Sequence, residues 1–180
     1  MIEKMVVGVD GSATAAAAAR QAAALANLFG AEVVAATASG RLLGVTAERA
    51  REQLEGPWTA PLREAAAKHR TVVLEGDPRV MLAELAEEEG ADLVVVGSSG
   101  VGWYPAARVG HVAHYLAHHG GQPLLIVPGE RPAELRRLAV GLDGSEGSAA
   151  ALDWASDVAA AADGELLGVH VHQPAASAGR

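Results

Sequence analysis

Residues 5–12 read MVVGVDGS, and residues 138–145 read LAVGLDGS. Each octet is an aliphatic run that stops at Asp-Gly-Ser, the pattern of a buried strand closing in a turn. The two octets lie 133 residues apart, and AEVVA (31–35) and GELLG (164–168) repeat at the same offset. The chain therefore contains one complete copy and the strand–helix–strand opening of a second. PGERPAE (128–134) joins them with proline and charge, the composition of a linker. The expected organisation is a domain over 1–128, a linker over 129–135, an incomplete second domain over 136–173 and a tail over 174–180.

Working outward through the first copy, short aliphatic strands alternate with helical periodicity. Strand one is Val6–Val9, and Ser12 is placed to cap an Ala-rich helix that Gly30 ends. Strand two is Val33–Thr37. The polar stretch from Thr46 to Lys68 predicts helix broken at Gly56–Pro57, because proline biases its predecessor away from helix. Strand three is Thr71–Leu74. Asp77 and Pro78 suit the N-cap and first position of a helix whose apolar stripe is Val80, Leu82, Leu85 and Ala86. Strand four is Leu93–Val96, apolar on both faces. A helix near Gly110–His119 and a fifth strand, Pro123–Val127, complete the copy.

Near-continuous Val, Leu and Ile strands separated by amphipathic helices predict a doubly wound α/β domain: a five-stranded parallel sheet, covered on both faces, with right-handed crossovers. In such sheets ligands bind beyond the carboxyl ends of the strands, where the strand order reverses. With order 3-2-1-4-5 that point lies between strands one and four. It brings Asp10 and Gly97, 87 residues apart, to one crevice.

Composition narrows the function classes. Half of the residues are hydrophobic, yet only three Trp, two Tyr and one Phe occur, so the core is Ala, Val, Leu and Ile. A net charge of −8 without a basic run argues against nucleic-acid binding. The absence of cysteine excludes disulfides, thiolate metal sites and cysteine nucleophiles. The N-terminus leaves no room for a signal-peptide apolar region, and no window offers about 18 unbroken apolar residues for a membrane span. A soluble, cytoplasmic protein is expected.

The Gly-rich segment is GSSGVGWYPAARVGH, residues 97–111. Its glycines at 97, 100 and 110 fit a loop that approaches a ligand and then enters a helix, where the amides of Gly110, His111 and Val112 would favour phosphate. Turn geometry after a parallel strand accounts for such glycines equally well. Neither a Walker loop nor the dinucleotide fingerprint is present. His111, His114 and His118, with His119 adjacent, fall near one helix face, but a metal site needs converging imidazoles and an oriented second layer of partners. His170 and His172 share a strand face and read as half-exposed strand residues. A phosphoacceptor domain would need Asp at the end of strand three and Lys at the end of strand five, where Glu75–Gly76 and Pro128–Gly129 stand. Ser98 and Ser99 have no nearby base, and no catalytic triad or carboxylate pair is legible.

VVGVDGS at strand one, EGDP before a helix, GADLVVVGSSG at strand four and HVAHYLAHHGGQPLLIVP through strand five together resemble the universal stress protein family, over residues 3–128 and again over 136–172. The resemblance implies a Rossmann-like five-stranded domain that commonly dimerises or occurs in tandem. One branch of the family binds ATP, with magnesium, through G-x2-G-x9-G-[ST]. On that likeness Asp10 lies near the adenosine and the metal-bridged phosphates, and Thr37 or Ala38 flanks the adenine. Val96 and Gly97 border ribose and base, Ser99 and Gly100 begin the phosphate loop, and Gly110 and Val112 give amides to phosphate. His111 departs from the pattern, standing where the ATP-binding branch has a small hydroxyl residue. Trp103 and Tyr104 could stack on a base but better suit packing or a dimer contact, and Arg108 could reach phosphate or face solvent. The implied function is a stress-response module that binds an adenine nucleotide and acts by dimerisation or partner binding. The alternative is a nucleotide-free association module whose site His111 has impaired. Any hydrolysis of ATP would be incidental.

Overall fold

The computed structural model describes residues 2–40, 44–100, 109–129 and 131–171. They fall into two compact units that divide after Ala133. The first unit runs β1 (Lys4–Gly8), α1 (Ala13–Phe29), β2 (Glu32–Ser39), α2 (Ala47–Glu55), α3 (Ala60–Glu64), β3 (His69–Glu75), α4 (Pro78–Glu88), β4 (Leu93–Gly97), α5 (His111–His119) and β5 (Leu124–Val127). Its five parallel strands lie in the order β3-β2-β1-β4-β5, the order expected from the sequence. β2 and β3 extend past their aliphatic runs because their register continues to Ser39 opposite Glu75.

Local chemistry fixes the helix ends. The Ser12 side chain accepts from the Ala15 amide, and Gly30 closes α1 at φ 70°, a left-handed conformation that glycine adopts without penalty. Thr46 caps α2 through the Arg49 amide. At Gly56 the helix stops and Pro57–Thr59 makes a single 3-10 turn before α3. Asp77 caps α4 through the Arg79 amide, with Pro78 in the first helical position.

Strand alternation sends the core to both faces of the sheet. On one side Val6, Val34, Ala36, Val94 and Val96 pack with Leu82 and Leu85 of α4 and Ala113 and Leu116 of α5. Met5, Val7, Val33, Ala35 and Val95 are fully buried on the other. There α1 meets the strands through Ala15, Ala18, Ala19 and Ala22, whose small side chains let the helix backbone approach closely. β1 leads to α1 on one face and β4 is reached from α4 on the other, so the chain diverges at the β1–β4 pair, the place where doubly wound sheets form a crevice above the carboxyl ends of their strands. At the opposite ends of the strands Glu89 pairs with Lys4 at 3.2 Å and with Arg70 at 2.5 Å, and Glu32 pairs with Lys68 at 3.1 Å.

The second unit comprises β6 (Arg137–Gly141), α6 (Glu146–Ala161) and β7 (Glu165–Val169), with the two strands parallel and paired from Arg137 opposite Glu165 to Gly141 opposite Val169. Val140, Ala155, Val158 and Ala159 form its buried layer. Leu167, Val169 and Val171 point away from that layer and are exposed. Leu167 and Val169 alternate on β7 as Val34 and Ala36 do on β2, which α4 covers in the first unit.

Candidate functional site

The crevice is built from the turn after β1 and the loop after β4. Asp10 follows the last paired residues of β1, and its Oδ1 accepts from the Ser12 amide at 3.0 Å. This bond closes the turn whose apex is Gly11, at φ 85°. Ser12 then starts α1, and Thr14 lies one residue inside the helix. Thr14 Oγ1 donates to the carbonyl of Ser99 and lies 3.4 Å from the Ser99 hydroxyl; Ser12 Oγ lies 3.4 Å from the same carbonyl. Three hydroxyls therefore meet at the start of α1 and tie the β4 loop to the β1 turn.

The three glycines each face protein. A Cβ on Gly97 would lie 2.6 Å from Thr14 Oγ1, 2.7 Å from the Thr14 carbonyl carbon and 2.8 Å from the Ala15 nitrogen. On Gly100 it would lie 2.6 Å from Asp10 Oδ2. On Gly110 it would meet the Ser98 carbonyl and Ser99 Cα at 3.3 Å, and the Gly110 amide donates to Ser98 at 2.7 Å. Packing of the loop on α1 and on the Asp10 turn is thus sufficient reason for glycine at all three positions.

Asp10, Gly97, Ser99, Gly100 and Gly110 are drawn together by these contacts. Gly110 is the N-cap of α5 in extended geometry and supplies no side-chain cap, so the helix brings its N-terminal amides to the loop. His111, the first helical residue, is exposed, and Val112 is half-buried against the α4–α5 core. Thr37 and Ala38 follow the last β1–β2 pair, Gly8 with Ala36; Thr37 is buried and Ala38 half-buried. The Val96 side chain is turned into the core beside Leu82, so only its backbone is available to the crevice.

Other candidates separate from the site. His114 and His118 stack with ring centroids 4.4 Å apart, and His118 Nδ1 sits 2.8 Å from the His114 carbonyl. Among the described residues no group of three His, Cys, Asp or Glu is placed to hold a metal ion. His170 Nδ1 lies 2.6 Å from the Leu142 carbonyl. Trp103, Tyr104, Arg108 and His172 lie outside the described residues. Asp77 is held below the usual carboxylate range, first by the side-chain bonds from Arg79 and then by its amide. Asp143, the counterpart of Asp10, is drawn down to about 2, first by the Ser145 side chain and then by the Ser145 amide. No helix among the described residues is long and apolar enough to cross a membrane.

Two contributors were not legible as site residues. Thr14 stands in an alanine run and has no motif to mark it. Trp58 is carried by the 3-10 turn, far along the chain from the β1 turn that it touches.

The sequence signature of the Universal stress protein family matches residues 1–128 and 134–180. A universal stress protein of Mycolicibacterium smegmatis is 29% identical over 93% of this chain, which spans 63% of that relative's length. A universal stress protein solved in complex with cAMP is 28% identical and covers 71% of this chain and 97% of its own, with a TM-score of 0.59. A universal stress protein of Archaeoglobus fulgidus DSM 4304 is 19% identical and covers 95% of this chain and 68% of its own, with a TM-score of 0.76; it speaks for the fold.

Proposed function

Given that the chain belongs to the universal stress protein family, we propose that its first unit binds an adenine nucleotide in the β1–β4 crevice and acts by association, as a homodimer or with a partner protein, in a stress response. One juxtaposition carries the reading: the Asp10 carboxylate, the Ser12, Thr14 and Ser99 hydroxyls and the start of α5 meet at the point where the sheet order reverses. The cAMP bound by a relative of the same fold supports an adenine nucleotide as the ligand class. ATP with magnesium is the specific ligand we assign.

In this reading the α5 amides and the Ser99 hydroxyl hold phosphate, the Ser12 and Thr14 protons being directed to the Ser99 carbonyl, and Asp10 stands where it can accept from ribose or face a phosphate-bound magnesium. Thr37, Ala38 and the backbone of Val96 and Gly97 border the base and ribose. No residue is assigned to bond breaking, so the protein is a binding module. Residues 136–173 belong to a second copy of the same kind of domain, after a linker over 129–135; the Asp143–Ser145 turn, built like Asp10–Ser12, supports this.

Isothermal titration with Mg-ATP and with cAMP tests the reading. Binding that is lost in Asp10→Ala supports it; no binding of either ligand at millimolar concentration overturns it. The second reading, an association module without nucleotide, draws on His111, which puts an exposed imidazole at the first position of α5. Its expected mark is tight ATP binding in His111→Ser with none in the wild type.

A further inference from the structure

We infer that Trp58 is the base-stacking wall of the crevice and sets its preference for a planar heterocycle. The inference rests on the nucleotide reading above and adds to it a residue from outside the β1 and β4 loops. Because Gly11 sits at φ 85°, its α-hydrogen side opens toward the indole: a Cβ there would lie 2.6 Å from Trp58 Nε1, 2.8 Å from Cε2 and 2.9 Å from Cζ2. The indole thus meets the turn with one ring edge, directly between Asp10 and Ser12. Trp58 is half-buried rather than sealed in the core.

The turn that carries Trp58 is fixed at its backbone. Thr59, wholly buried, donates from Oγ1 to the Leu54 carbonyl at 2.6 Å. Arg63 donates to the Glu55 carbonyl at 2.9 Å, to Thr59 Oγ1 at 2.7 Å and to the Gly56 carbonyl at 2.5 Å. The 3-10 turn is therefore braced on both sides of Trp58, which fixes the backbone from which the indole projects. A base lying against the indole extends from the Asp10 turn while its phosphate reaches toward Ser99 and α5. Stacking is indifferent to the sugar and phosphate and recognises the π-face of the base.

The test measures cAMP and ribose 5-phosphate, which lacks a base, against wild type, Trp58→Leu and Trp58→Phe in the full chain. Trp58→Leu keeps apolar bulk against Gly11 and removes the π-face. The expected result is cAMP affinity weakened about tenfold in Trp58→Leu and largely restored in Trp58→Phe, with ribose 5-phosphate unchanged throughout. In a chain whose sole tryptophan is Trp58, cAMP should also quench the emission and ribose 5-phosphate should not. Unchanged or tighter cAMP binding in Trp58→Leu overturns the inference and leaves the nucleotide reading standing, as does equal weakening of both ligands. No binding of either probe by the wild type overturns both.

Discussion

Replacing Gly97 and Gly100 separately by alanine distinguishes glycines that serve the fold from one that governs the site. In Gly97→Ala the new methyl meets Thr14 Oγ1 and, more seriously, backbone atoms of Thr14 and Ala15 at 2.7 and 2.8 Å. Helix backbone cannot swing aside, so α1 must shift from β4 or the strand must bend, an overpacking cost of about 1–3 kcal/mol. For a chain of this size that is a fall in Tm of roughly 2–12 °C. In Gly100→Ala the contact is Asp10 Oδ2 at 2.6 Å, the end of a movable side chain. Stability should stay within about 1 kcal/mol, because rotation of the carboxylate is offset by the reduced freedom of the unfolded chain. The same rotation should cost nucleotide affinity. Thermal and urea unfolding by circular dichroism, with nucleotide titration of both variants, make the comparison. A Gly97→Ala protein as stable as wild type, or a Gly100→Ala protein less stable than Gly97→Ala, refutes the packing argument.

The other predictions concern parts remote from the crevice. Gln21, 2% exposed, accepts from the Ala133 amide at 2.6 Å, while its Nε2 is buried without a partner among the described residues. Gln21→Met removes the acceptor and the unpaired donor together, so stability should change by less than about 1 kcal/mol; amide exchange at Ala133 should quicken, and unchanged exchange would show that the bond does not hold the segment. Glu89 is held below the ordinary carboxylate range first by Arg70 and then by Lys4. Its stabilising contribution is complete above the unfolded value near 4.5 and fades as pH falls through the depressed folded one. Glu89→Gln should therefore lower Tm at pH 7 and converge on wild type in acid, a gap that persists at pH 2 being the contrary result. Asp143 should titrate near 2 by carbon-detected NMR, and Ser145→Ala should move it back toward 3.8; the stability it confers is lost between those values as pH falls.

A parallel sheet covered on both faces was legible because its strands are short aliphatic runs, β4 apolar on both faces, and the helices between them carry their own caps; the order, taken as that of a doubly wound sheet, is the one found. Ser12, Gly30, Asp77 and Pro78 announce helix ends through hydrogen bonding and backbone geometry that act within a few residues. The ends of β2 and β3 were less legible: Ser39 and Glu75 join the sheet through pairing with each other, a contact between residues distant in sequence. Thr14 and Trp58 were hidden for the same reason. Each acts on a residue that only the tertiary fold brings near, Thr14 on the Ser99 carbonyl and Trp58 on Gly11.

The glycine spacing shows how a motif and a binding site can agree without the first proving the second. Gly97, Gly100 and Gly110 are accounted for by α1, Asp10 and the Ser98–Ser99 backbone, before any ligand is invoked. Yet the same crowding sets the chemistry of the crevice. A loop pressed that tightly onto α1 carries the Ser99 carbonyl to Thr14 and starts α5 beside Ser98, so the groups suited to phosphate are positioned by protein contacts rather than by the nucleotide. The described ends of that loop, Ser98–Gly100 and Gly110, are thus positioned by protein contacts alone. His111 then matters through what its exposed imidazole adds at the first turn of α5, since the backbone that delivers the helix terminus is already fixed by Gly110.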